Sequence, residues 1–276
     1  MALQVASLNS GSNGNCYYIG NKNEAVLIDA GISCRETERR MKRLELSLKK
    51  VKAIFITHEH ADHINGLLKL VKKHKIPVYI TKPTRHHPLL GWCEGTAIHF
   101  HAYQPIQIGD LEITPIPKFH DASDPHSFLI SDQSVTVGVF TDSGRVCNDL
   151  IKNFKICHAA FLESNYDEEM LMNGDYPMHL KNRIRGGLGH LSNKEALQLF
   201  LTHRPPFMSH LFLSHLSKNN NTPEIAESLF KSVSGETQII VAPRNEETEL
   251  YTIATDQPSL RLKSRIHASD SQLTLF

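Results

Sequence analysis

A continuous β-branched and aromatic run, Ala53-Ile54-Phe55-Ile56-Thr57, stops directly at a cluster of histidines, Thr57-His58-Glu59-His60-Ala61-Asp62-His63. A run that is apolar at every position reads as a strand covered on both faces, which places it in the interior of an α/β architecture. Beyond it, Asp62 stands where a helix N-cap belongs, and Ile64, Leu67, Leu68 and Val71 supply an apolar stripe at helical spacing. The histidines therefore occupy a strand-to-helix loop. In extended backbone alternate side chains share a face, so His58 and His60 can converge on one metal ion, while Asp62 and His63 emerge at the helix start and can reach a second. Imidazole is the commonest transition-metal ligand, and the chain holds 17 histidines.

The pattern around this loop alternates. Strands are expected at 3–8 and 16–19, joined by Gly11-Ser12-Asn13-Gly14, in which Asn13-Gly14 is a hairpin signal because both residues tolerate positive φ. A third strand at 25–28 ends at Asp29-Ala30-Gly31, and Ser33 can cap the following helix. Further strands are expected at 97–101, 111–116, 126–130 and 135–140. Strands at 159–162, 211–213 and 238–241 then alternate with helices at 194–201 and 223–232. Strand-rich segments followed by strand-helix alternation predict sheets with helices on their outer faces. Residues 1–276 read as one domain, with a tail from about residue 255 that is either an extra edge element or a floppy end.

Hydrophobic residues at 40% and charged residues at 21% are ordinary for a folded protein. The net charge of +1 gives no overall field for nucleic acid, so such binding needs a local basic patch. Arg39, Arg40, Lys42, Arg43, Lys49, Lys50 and Lys52 form a candidate, although a solvated helix face explains them more simply. Five scattered cysteines without CxxC spacing argue against a disulfide framework and for a reducing compartment. A secretory signal is not expected, since Met1-Ala2-Leu3-Gln4-Val5 shows no basic region followed by an apolar run, and no run approaches the roughly 18 apolar residues of a membrane span. A cytoplasmic protein without membrane contact is expected; the oligomeric state is left open.

At the histidine loop the sequence resembles the metallo-β-lactamase superfamily, and the likeness continues in that superfamily's order. Asp29 matches the buried aspartate that orients the histidine loop, and His120 in Phe119-His120-Asp121-Ala122 matches the isolated third histidine. Asp142 in Phe140-Thr141-Asp142-Ser143-Gly144 matches the bridging carboxylate, and His215 in Leu213-Ser214-His215-Leu216 the last ligand. The resemblance implies an αββα sandwich, with two mixed sheets packed face to face and helices on both outer faces. It also implies two divalent cations, one held by His58, His60, His120 and Asp142 and the other by Asp62, His63, Asp142 and His215. Zinc or manganese suits these nitrogen and oxygen donors, and iron is also compatible. Two cations roughly 3.5–4 Å apart acidify water and clamp the oxygens of an in-line displacement, so that hydroxide attacks phosphorus or carbonyl carbon.

Asp142 stands where zinc β-lactamases commonly carry cysteine, and His60 where the di-iron oxygen reductases carry glutamate, which disfavours antibiotic and redox chemistry. Glu163 in Phe161-Leu162-Glu163-Ser164-Asn165 and His190 in Gly189-His190-Leu191-Ser192 resemble the ribonuclease Z pair in which a glutamate orients a histidine that protonates the leaving oxygen. A helix-capping role for His190 explains it equally well. Asp62, Glu163 and His190 are thus the candidate catalytic residues. A narrower resemblance, to the bacterial YycJ/WalJ group, is carried by Ser10-Gly11-Ser12-Asn13-Gly14-Asn15, Leu27-Ile28-Asp29-Ala30-Gly31-Ile32-Ser33, Gly189-His190-Leu191-Ser192-Asn193 and Ser214-His215-Leu216-Ser217-Lys218-Asn219-Asn220. It implies an exonuclease acting on double-stranded DNA, with a part in DNA repair. The competing expectation is a thioester or lactone hydrolase of the glyoxalase II type, which shares the ligand set but carries a helical C-terminal domain. Backbone N–H groups of the 11–15 turn, Lys118 and Arg145 are weaker candidates for phosphate contacts, and Asp121 and Asp124 read as turn residues.

Overall fold

The computed structural model describes residues 2–93 and 97–255, so the tail set apart in the sequence lies, past Thr255, outside the described residues. In the first sheet β1 (Ala2–Asn9), β2 (Cys16–Gly20) and β3 (Ala25–Ile28) pair antiparallel. Beside them β4 (Val51–Phe55), β5 (Val78–Ile80) and β6 (Ala97–His99) continue in parallel. In the second sheet β7 (Ile106–Ile108), β8 (Leu111–Pro117), β9 (His126–Asp132) and β10 (Val135–Phe140) pair antiparallel. There β11 (Ala159–Glu163), β12 (His210–Ser214) and β13 (Gln238–Val241) extend it in parallel from β10. Finally β14 (Tyr251–Ala254) returns to the first sheet and pairs antiparallel with β1.

The connecting helices are α1 (Cys34–Arg43), α2 (Ala61–Ile64), α3 (Leu67–His74), α4 (Lys82–Arg85), α5 (Asn148–Phe154), α6 (Glu168–Asn173), α7 (Met178–Arg185), α8 (Asn193–His203) and α9 (Pro223–Lys231). Strand alternation decides which core each residue joins. Phe55, Tyr17 and Val26 point between the sheets onto Phe128, Val137, Phe161 and Phe212, while neighbouring Ile54 and Leu27 point outward onto Met41, Leu67 and Leu70 of α1 and α3. On the other side Phe140, Leu162 and Leu211 meet Phe154, Phe200 and Phe230 of α5, α8 and α9. Each such side chain contributes about 1.5–3 kcal/mol by leaving water. The result is the expected αββα sandwich.

Three local expectations are corrected. The 10–15 connection is longer than a two-residue hairpin: Asn9 faces Cys16, and positive φ falls on Gly11 and Gly14 rather than on Asn13. Asp62 does not cap a helix; His60 holds the N-cap position, and the Asp62 carboxylate turns toward Asn15 and His215. The stripe from Ile64 to Val71 is split at Asn65-Gly66 into α2 and α3, because Gly66 lies against the Ile32 carbonyl, where a Cβ would come within 1.7 Å. The basic run on α1 is largely structural: Arg40 is buried and donates to Leu8 O and Asn9 Oδ1, Arg39 pairs with Glu36, and Arg43 with Glu247.

Candidate metal centre

Asp29, His58, Asp142 and His215 follow the carboxyl ends of β3, β4, β10 and β12, Glu163 is the last residue of β11, and His120 follows β8. Parallel strands present their carboxyl ends on one rim, which is where open α/β sheets collect binding residues. The backbone is bent to aim them: Asp29, Asp142 and His215 have φ of 62°, 52° and 56°. Left-handed conformations cost side-chain-bearing residues of order 1–3 kcal/mol and persist at functional sites when their surroundings compel them.

The histidine loop is anchored from below. Asp29 Oδ1 accepts the Thr57 N–H at 2.8 Å, and Oδ2 accepts the Thr57 hydroxyl at 2.8 Å and the His63 Nδ1–H at 2.6 Å. Since the Thr57 hydroxyl donates to Asp29, the contact with His58 Nδ1 at 2.9 Å is an imidazole N–H donating to Thr57. The Nε2 lone pairs of His58 and His63 therefore turn into the centre. From the other side Asn15 accepts the Gly11 N–H, gives its own N–H to Asp62 O at 2.7 Å, and donates its amide to Asp62 Oδ2 at 3.1 Å. The N–H groups of Gly11 and Asn15 are thus used within the fold, the first by Asn15 Oδ1 and the second by Asp62 O. Gly31 permits the close packing: a Cβ there would lie 1.7 Å from Asp62 O.

Each remaining ligand candidate is oriented through its outer nitrogen. His60 Nε2 donates to Asp121 O at 3.2 Å and His120 Nδ1 to Gly189 O at 3.0 Å. Their inner nitrogens then face each other at 3.2 Å, lone pair against lone pair. His63 Nε2 lies 3.3 Å from Asp142 Oδ2 and 3.5 Å from Asp62 Oδ2, while His215 Nε2 lies 3.4 Å from Asp62 Oδ2 and 3.5 Å from Asp142 Oδ1. His58 Nε2 is buried and accepts no hydrogen bond, and Asp142 Oδ2 is buried with only the long 3.3 Å contact to His63 Nε2. Buried orphan acceptors and opposed lone pairs are costly in an apolar interior, and divalent cations between them remove that cost. The donors fall into groups of ligand atoms within 4.8 Å of one another: His58, His60 and His120; Asp62, His63 and His215; and His58, His63 and Asp142, which joins the first two. The residues present thus fit divalent cations.

Burial and charge pull against each other across the centre, and burial prevails only at His58 and His120. It holds His58 well below the ordinary imidazole value and lowers His120 to about 4. For His63 burial also opposes the charge, yet Asp142, Asp29 and Asp62 raise it well above its ordinary value. Against the same burial, Asp142, Asp62 and Glu163 lift His215 to about 10. Burial disfavours the Asp142 carboxylate, but His215 and His63 keep it well below the carboxylate range; His63 and His215 do the same for Asp62.

Glu163 is fully buried. Its Oε2 accepts the N–H groups of Ser143 and Leu191 at 2.7 and 3.3 Å, and its Oε1 accepts from His190 Nδ1 at 2.7 Å and His215 Nδ1 at 3.1 Å. Burial works against this carboxylate, and the His190 contact outweighs it, leaving Glu163 at about 2. His190 does not cap a helix; Ser192 does, with Glu195 completing the capping box of α8. All seven ligand candidates, with Asp29, Glu163 and His190, are therefore brought to one place. Sequence reasoning missed Thr57 as the orienting hydroxyl, Ser10, whose Oγ accepts the His215 N–H at 2.7 Å, and Glu59, whose Oε1 accepts from Ser123 N and Oγ at 2.7 Å. Thr57 and Glu59 had proximity to the motif as their signal, and Ser10 had its place in the Ser10–Asn15 segment. Lys118 donates to Thr141 O, Arg145 lies 3.6 Å over the Phe119 ring, and Asp121 pairs with Arg183.

A family model described as the metallo-beta-lactamase superfamily matches residues 10–142. The chain is 34% identical over 229 residues to the exodeoxyribonuclease YycJ of Bacillus anthracis, covering 82% of this chain and 87% of that protein. It is 30% identical to the exodeoxyribonuclease WalJ of Streptococcus pneumoniae over 231 residues, covering 82% and 86%. Among solved structures the metallo-beta-lactamase fold protein YhfI of Bacillus subtilis superposes with a TM-score of 0.68 at 18% identity, over 90% of this chain and 99% of that one. With the rim of aspartates and histidines and these relatives in hand, the chain belongs to the metallo-β-lactamase superfamily of metal-dependent hydrolases, in the family of the YycJ and WalJ proteins.

Proposed function

We propose that this protein is a phosphodiesterase using two divalent cations, zinc or manganese, and that its substrate is DNA, cut as an exonuclease on duplex ends in the course of DNA repair. The observation that carries the reading is the convergence of His58, His60 and His120 on one side and Asp62, His63 and His215 on the other, with Asp142 between. The kinship with YycJ and WalJ, both called exodeoxyribonucleases, supports DNA as substrate. When bound, the cations supply Lewis acidity and lower the pKa of water at the centre.

The protein's own groups do the rest. Asp62, ionised and held by Asn15, His63 and His215, faces the space where an attacking water is oriented. His190, part exposed, presents its imidazole beside Asp142 with Nδ1 pinned to Glu163, so that its other nitrogen can protonate the departing alkoxide oxygen. Glu163 fixes that ring and neutralises the charge it carries before transfer. The whole described chain acts as one domain, and the free thiols of Cys16, Cys34, Cys147 and Cys157 suit a reducing cytoplasm. No helix among the described residues is long and apolar enough to cross a membrane.

The thioester reading loses support beyond β11, where β12, between α8 and α9, and β13, after α9, still add parallel strands instead of giving way to a helical domain among the described residues. Protein reloaded with manganese or zinc is to be incubated with end-labelled duplex DNA, single-stranded DNA, RNA and a glutathione thioester. Mononucleotide release from duplex DNA ends is expected; thioester cleavage with inert DNA and RNA would sink the proposal.

A further inference from the structure

Away from the centre, a second group of ligand-type side chains closes the seam between α1 and α3. Cys34 and Glu38 lie one turn apart on α1, and His74 is the last residue of α3. His74 Nε2 lies 2.7 Å from Glu38 Oε1 and Cys34 Sγ lies 3.7 Å from the same oxygen; ligand atoms of the three residues fall within 4.8 Å of one another. We propose that Cys34, Glu38 and His74 form a separate site for one thiophilic divalent cation of the zinc type, clasping α1 to α3.

The donor chemistry differs from that of the main centre. One thiolate, one imidazole and one carboxylate suit zinc, and three protein ligands leave a fourth position for water. The site is pre-shaped, because both helices are fixed independently of it. Ser33 caps α1, and Cys34 packs in the same apolar cluster as Met41 of α1 and Leu67 and Leu70 of α3. It is also reachable, since the Glu38 and His74 side chains are 29% and 24% exposed.

A cation already sits at this carboxylate. Lys73 Nζ lies 2.6 Å from Glu38 Oε1, on a side chain 60% exposed. An exposed pair of that kind contributes little and its long stem swings away readily, so a doubly charged ion with two further donors displaces it. Lys69 is the other charged group that acts on Cys34. The bound ion takes the place of the thiol proton, which leaves to solvent, and forms a bond from sulfur to metal; no electron changes hands. The clasp matters for the fold because α1 follows the Asp29 segment and α3 follows the histidine loop, so one ion ties together the two segments that frame the main centre.

Cadmium distinguishes this site from the main one, because sulfur-to-cadmium charge transfer absorbs in the ultraviolet and a centre of nitrogen and oxygen donors gives no such band. Protein first loaded at the main centre is titrated with cadmium. The expected result is a sulfur-to-cadmium band saturating at one equivalent, abolished in Cys34→Ser and weakened at least tenfold in affinity in Glu38→Gln and His74→Gln. The two glutamine variants keep the test valid should Cys34→Ser misfold. Absence of the band in the native protein, its survival in Cys34→Ser, or unchanged affinity in both glutamine variants, which marks a lone thiol, overturns the proposal.

Discussion

Glu163 Oε1 sits between two histidines, 2.7 Å from His190 Nδ1 and 3.1 Å from His215 Nδ1. One buried carboxylate thus orients a ligand candidate through one contact and the proposed proton donor through the other. Removing His190 alone should therefore separate chemistry from metal binding. His190→Ala is expected to lower kcat on DNA by roughly 10²–10⁴-fold while metal content stays at the native level. The loss should shrink on a p-nitrophenyl phosphodiester, whose leaving group needs no proton. Equal losses on both substrates would remove His190 from the proton-donor role.

That pair was legible in the sequence only as two positions in order, whereas the histidine loop was legible outright. Ala53 to Thr57 announces a buried strand in its composition, and the spacing of His58, His60, Asp62 and His63 needs no distant partner to be read. Asp142 and His215 are different, because their aim depends on left-handed backbone, which Asp and His adopt more often than most residues but still in a small minority of cases. The break between α2 and α3 depends on Gly66 meeting the Ile32 carbonyl, a contact more than thirty residues apart in sequence. The strands Val78–Ile80, Ile106–Ile108 and Tyr251–Ala254 were not anticipated, since three or four residues carry too little alternation and are held by the neighbours they pair with.

His60 tests the ligand assignment more directly. Its inner nitrogen faces His120 across the centre, and its ring is partly exposed, so its loss leaves little cavity. His60→Ala should abolish phosphodiesterase activity, lower the bound metal from two ions toward one, and leave the far-UV circular dichroism unchanged. Full activity with undiminished metal in this variant would end the two-ion reading.

Thr57 touches no proposed ion, yet it links Asp29, His58 and His63. Thr57→Val keeps the volume and the strand preference and removes the hydroxyl. It leaves the His58 N–H without an acceptor, at a cost of about 1–3 kcal/mol in folding stability. Metal affinity should fall about 10–100-fold, as it does when the outer partner of a ligand histidine is lost. Chemical denaturation of the metal-free form and competition with a chelator check the two effects separately.

Metal loading should also depend on pH, and unequally at the two halves of the centre. His63 is raised well above its ordinary value and His215 to about 10, so in the metal-free fold both hold protons at neutral pH. A raised folded pKa stabilises the metal-free fold fully below the unfolded value of about 6.5, and that contribution disappears as pH rises through about 10. A cation must displace those protons, so apparent affinity at the Asp62, His63 and His215 side should rise roughly tenfold per pH unit for each proton lost. His58 and His120 are lowered instead, His120 to about 4, and so need surrender no proton at neutral pH. Calorimetric titration in buffers of different ionisation enthalpy should find one ion binding with little proton release and a second binding with full release near pH 7 that falls away as pH rises toward about 10. Two ions with identical proton release would show that the carboxylates around His63 and His215 do not set the order of loading.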